Sequence, residues 1–117
     1  MALVPTDFAG AMPIDGYGPG FFRIGGTVFH GALLLHEGGV VPWGGLSDPA
    51  ALAALAGRAD LLLIGTGAEI ARVPEALLDA AEAAGLRCES MASPAAARTY
   101  NVLLSEGRRI AAALIPV

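Results

Sequence analysis

The chain has 117 residues, 55% of them hydrophobic and only 15% charged, and a formal net charge of −4. This is the size and make-up of a single folded domain, expected to span residues 1–117, and not of a disordered segment. All seven cationic residues are arginines and lysine is absent, which excludes a Schiff-base lysine and a Walker-type phosphate loop.

Arg108 and Arg109 are the only adjacent cations, too little clustering for a nucleic-acid partner. The apolar excess leaves room for a protein partner, although much of it is alanine. Cys88 is the single cysteine, so no intrachain disulfide forms, and a reducing cytoplasmic setting is expected. The first twenty residues carry Asp7 and Asp15, are broken by Pro5, Pro13 and Pro19, and lack the cationic start of a signal or transit segment. No apolar run approaches the ~20 residues of a membrane span.

In chain order, residues 1–13 have no clear period and are expected to form an extended arm. The cluster Gly16-Tyr17-Gly18-Pro19-Gly20 predicts a bend between extended segments. Strands are predicted at Phe21–Ile24, Thr27–Leu35 and Val40–Trp43, separated by the hairpin signals Gly25-Gly26 and Glu37-Gly38-Gly39. Asp48-Pro49 predicts the capped start of a first helix of about ten residues, closed by Gly57. Leu61-Leu62-Leu63-Ile64 is an unbroken apolar run between Asp60 and Gly65, the pattern of a central strand covered on both faces. A second helix starts at Pro74-Glu75 and stops at Gly85. Leu86–Met91 predicts a half-buried strand, Ser93-Pro94 the cap of a third helix running to about Ser105, and Arg109–Ile115 a last strand.

The fold class predicted is therefore α/β: a central β-sheet flanked by helices, with an antiparallel β portion in the N-terminal half. Its edge strands leave room for a homodimer.

Candidate chemistry is sparse. Gly65-Thr66-Gly67 follows the buried strand, where open α/β sheets place ligands, and could turn backbone amides toward an anion. Ile70 occupies the place of the third glycine of a dinucleotide fingerprint, while Glu89 stands near the end of the next strand, where a ribose ligand would be sought. At the third helix, Ser93, Arg98 and Asn101 offer anion contacts within two turns; alternatively Arg98 pairs with a carboxylate and Asn101 bonds backbone. A pocket lined by Gly65, Thr66, Gly67, Ser93, Arg98 and Asn101 is thus one reading, and a purely structural role the other. His30 and His36, on one predicted strand, would lie ~20 Å apart and share no metal. No catalytic set, cofactor or metal is predicted.

The run Met91 to Leu114, with Arg98-Thr99-Tyr100-Asn101 and Glu106-Gly107-Arg108-Arg109 at its centre, resembles the family of the mitochondrial complex I assembly factor three and its small prokaryotic relatives. Ile14 to Gly18, Phe22-Arg23-Ile24, Gly26, Trp43 and Leu62 to Gly67 resemble that family's earlier segments in the same order. The family pattern has threonine and cysteine where this chain has Ser93 and Ala97. The resemblance implies a three-layer fold around a mixed sheet and a noncatalytic role through protein contacts, with respiratory membrane-complex components as partners.

Overall fold

The structure, a computed structural model, describes residues 12–117, so the arm expected over residues 1–13 lies almost wholly outside the described residues. Strands β1 (Ile14–Gly18), β2 (Phe21–Ile24) and β3 (Thr27–His30) form a small antiparallel sheet in that order. Strands β4 (Leu33–His36), β5 (Gly39–Pro42), β6 (Leu61–Thr66), β7 (Arg87–Met91) and β8 (Ile110–Ile115) form the main sheet, ordered β5-β4-β8-β6-β7. Helix α1 (Glu75–Ala83) joins β6 to β7, and α2 (Ser93–Ser105) joins β7 to β8.

The main sheet is mixed. β6 runs parallel to both neighbours, β7 and β8, whereas β4 is antiparallel to β8 and to β5. Side chains alternate across a strand, so β6 and β8 feed two cores. Leu62, Ile64, Ala111 and Ala113 pack with Leu77 and Ala81 of α1 on one face. Leu63, Ala112 and Leu114 pack with Ala96 and Tyr100 of α2 on the other, where Ile14, Phe22 and Ile24 of the small sheet join them. The unbroken apolar run of β6 is what a strand covered on both sides requires.

Two-residue hairpins behave as their glycines demand. Gly25 and Gly26 sit at φ +56° and +86°, the left-handed pair that lets Ile24 face Thr27 without splaying the strands. Gly85 and Gly107, at φ near +80°, stop the two α-helices.

Four expectations need correction. The strand predicted over Thr27–Leu35 is two strands in different sheets, because Gly31 at φ +85° turns the chain between them. His30 and His36 therefore lie on separate strands. The segment from Gly16 to Gly18 belongs to β1, with the bend confined to Pro19-Gly20. The first helix is a 3₁₀ segment, Pro49–Leu55, without a side-chain cap. Asp48 turns its carboxylate back to accept the Gly44 N–H (3.0 Å), and its carbonyl accepts the Trp43 indole N–H (3.0 Å), so it anchors the preceding loop instead.

His36 provides a pH-dependent element. Its Nδ1 accepts the Gly38 N–H at 2.8 Å, which requires that nitrogen to be unprotonated. Burial lowers its pKa below the usual 6.5, the Arg58 charge adds to this, and Glu37 partly opposes it. A base with a depressed folded-state pKa contributes stability that is present above the unfolded value and lost as pH falls. The urea midpoint should fall on acidification from about pH 7.5 to about 5.5, and His36→Asn, whose amide oxygen accepts the same N–H, should flatten that dependence.

Candidate functional site

Open α/β sheets bind ligands in the crevice beyond the carboxyl ends of their strands, where successive connections leave for opposite faces. Here that point lies between β6 and β7: the chain leaves β6 toward α1 and leaves β7 toward α2, and the two helices occupy opposite faces. Gly65, Thr66 and Gly67 form one lip, and Met91, Ala92 and Ser93 the other, with Gly65 in register with Met91.

The crevice is filled by the protein itself. Ser93 is fully buried and its N–H donates to the Gly67 carbonyl at 2.7 Å. Its hydroxyl accepts the Gly67 N–H at 2.9 Å and donates to the Ile115 carbonyl at 2.5 Å. One side chain thus ties the exit of β6, the start of α2 and the end of β8 together. The role of N-cap falls to Ala92, with Ser93 and Pro94 already helical and no side-chain cap bond. This corrects the expected capping by Ser93: its hydroxyl bridges two strand ends and leaves the free amides of its own helix alone.

Both glycines of the Gly65-Thr66-Gly67 turn follow from this contact. A Cβ on Gly65 would stand 2.7 Å from Ser93 Oγ and 3.0 Å from Ser93 Cα, so only glycine lets α2 lie this close to β6. Gly67 has φ +106°, a conformation that aims its N–H at Ser93 and that other residues rarely adopt. Thr66 organises the loop that follows: its hydroxyl donates to the Glu69 carbonyl (2.8 Å) and accepts the Ala71 N–H (3.0 Å).

Arg98 and Asn101 lie elsewhere. Arg98 is five residues beyond Ser93, about 7.5 Å up the helix and about 140° around it. It is exposed, with no hydrogen bond or ion pair among the described residues. Asn101 turns to the small sheet, where its Oδ1 accepts the Ile14 N–H and its Nδ2 donates to the Ile14 carbonyl, both at 2.8 Å. This two-way bond replaces a strand neighbour for Ile14 and fixes the small sheet on α2. The structure therefore brings together Gly65, Thr66, Gly67 and Ser93, and keeps Arg98 and Asn101 apart from them. Glu89 faces Leu63 in mid-strand and is exposed, away from the tip where a ribose ligand would be met.

A groove of about 250 Å³ lies between the 3₁₀ segment and α1, lined by Pro49 and by alanines including Ala53, Ala80 and Ala84. It presents no polar side chain that would orient a substrate. Among the described residues no group of three His, Cys, Asp or Glu side chains converges as a metal site would require, and no helix is long and apolar enough to cross a membrane.

Against known families, residues 14–115 match the model described as a protein of unknown function, DUF498/DUF598. The chain belongs to this family. An uncharacterised protein of Rhodobacter capsulatus is 60% identical over 117 residues, covering all of this chain and 94% of that protein. The human NADH dehydrogenase (ubiquinone) 1 alpha subcomplex assembly factor 3 is 33% identical over 123 residues, covering 99% of this chain and 67% of the human protein. Among solved structures, a crystal structure described as an outer membrane protein from Bartonella henselae superposes with a TM-score of 0.81 at 34% identity, covering 95% of this chain and 99% of that one. The solution structure of a Bordetella pertussis protein, described as an Mth938-like domain, superposes with a TM-score of 0.76 at 26% identity, covering 99% of this chain and 92% of that one. The DUF498/DUF598 match extends through both sheets, so the three-layer mixed α/β arrangement implied by the resemblance holds from β1 to β8.

Proposed function

We propose that this chain is a noncatalytic assembly factor that works as one unit, through protein contacts, on the respiratory NADH dehydrogenase from the cytoplasm. The observation that carries this reading is the closed crevice: of the groups best placed to hold a ligand, the Gly67 amide donates to the Ser93 hydroxyl, which itself donates to the Ile115 carbonyl. Polar groups already satisfied inside the fold gain little from a ligand that must first displace them. The relatives named as assembly factors supply the activity that such a scaffold would share.

The rival reading, a small anion held among Gly65, Thr66, Gly67, Ser93, Arg98 and Asn101, draws its support from exposed Arg98, which has no partner among the described residues. It requires the bonds between Gly67 and Ser93 to open and the helix to bring Arg98 round to the crevice.

Deleting the gene in its own host tests the proposal. Blue-native electrophoresis of the membranes should then show less complete NADH dehydrogenase and an accumulated subassembly, both reversed by a plasmid copy. Unchanged complete enzyme in the deletion strain would overturn it.

A further inference from the structure

The outer edge of the main sheet carries a self-complementary surface. β7 is the last strand in the order β5-β4-β8-β6-β7 and pairs on one side only, with β6. Its Arg87 N–H donates inward to the Asp60 carbonyl (3.0 Å). Because successive residues of a strand turn their backbone groups to opposite edges, Cys88 and Ser90 present theirs outward.

We propose that this edge binds a second copy of the chain, β7 against β7 in antiparallel fashion, with the two-fold axis at Cys88, doubling the five-stranded sheet. Charge sets the register. With the axis at Cys88, Arg87 of each copy faces Glu89 of the other, and the two oppositely charged pairs occupy the closer, non-hydrogen-bonded sites of the ladder. An axis at Glu89 would set two carboxylates face to face, and an axis at Ser90 would set each Glu89 against Met91. Arg87 and Glu89 are exposed, and neither is in an ion pair among the described residues. Cys88 faces its own counterpart, where the two residues exchange both N–H···O bonds. A further bond on each side runs from the Ser90 N–H to the Leu86 carbonyl of the other copy; the Leu86 N–H already serves Ala81 (2.9 Å).

The helices supply apolar cover on both faces of this edge. α1 rests Leu77 and Ala81 on the sheet and Ala80 and Ala84 against the groove, which leaves Leu78, 41% exposed, on the flank over β7. α2 turns Asn101 toward β1, and the partly buried Leu103 lies on the flank opposite it, toward β7, while Val102, 54% exposed, points away from the sheet. The opposite edge of the sheet, β5, ends on Pro42, which has no N–H to offer. The homodimer expected from the β-rich half is thereby assigned to the α/β half.

This inference stands apart from the assembly role, because the isolated chain answers it. Sedimentation velocity across micromolar to sub-millimolar concentration should give a species of twice the 11.8 kDa chain mass. Glu89→Arg, which sets arginines face to face, should raise the dimer Kd by about tenfold or more, and the charge-swapped pair Arg87→Glu with Glu89→Arg should restore it. Paired Cα atoms at such a site lie about 5.5 Å apart, within disulfide range. Added diamide, which takes up the two thiol hydrogens, should therefore link Cys88 to Cys88 in the wild type and not in Glu89→Arg. A monomer at every concentration, or a dimer indifferent to Glu89→Arg, would overturn the proposal.

Discussion

Ser93→Ala is expected to lower the unfolding free energy by roughly 2–6 kcal/mol, because it strands two buried groups that each cost about 1–3 kcal/mol when unpaired. The loss has a specific origin. The Gly67 N–H and the Ile115 carbonyl both end on the Ser93 hydroxyl, and neither has another hydrogen bond in the crevice. Urea unfolding followed by circular dichroism measures this, with an unchanged slope showing that the same surface unfolds. A variant within about 0.5 kcal/mol of the wild type, the range of an ordinary surface change, would mean that the hydroxyl is not a keystone of the sheet.

Gly65→Ala should cost a similar amount for a different reason, about 2–3 kcal/mol from overpacking. The new methyl would stand 2.7 Å from Ser93 Oγ, 2.9 Å from Leu114 Cδ2 and 3.0 Å from Ser93 Cα. Leu114 could move aside, but Ser93 Cα is backbone, so the first turn of α2 would have to shift and carry its bonds to Gly67 with it. The two substitutions are in contact and should not add. In the double variant the clash with Oγ is gone, so the combined loss should fall below the sum of the single losses, and a urea-based double-mutant cycle measures the difference.

Much of this architecture was legible from residue pattern alone. Leu61 to Ile64 announced a strand covered on both faces, and Gly85 and Gly107 marked the ends of two helices that the structure places where expected. Leu33-Leu34-Leu35 was harder. Its apolar run merges with Thr27-Val28-Phe29, and nothing local shows that Gly31 lets the chain leave one sheet for another. The 3₁₀ segment was misjudged because Asp48-Pro49 is a good helix start in isolation, while the competing acceptor use of Asp48, by Gly44 and Trp43, is set by the loop that precedes it.

The crevice was half legible. Gly65-Thr66-Gly67 and Ser93 were recognisable as special, and the structure joins them. What could not be read is the direction of the Ser93 hydroxyl, since a serine before proline at a helix start has the same appearance whether it caps the helix or bridges two strands. Asn101 was open between ligand and backbone for the same reason; its partner, Ile14, is 87 residues away in the chain. Tertiary contacts of that span leave no mark in local pattern.

Amide hydrogen exchange at Gly67 tests most directly whether the crevice is a closed part of the scaffold. With its N–H held by Ser93, Gly67 should exchange only through large-scale unfolding, as slowly as the amides of β6, and inorganic phosphate should leave that rate unchanged. A Gly67 amide that exchanges at the rate of an open loop, and becomes protected only when phosphate is added, would contradict the account.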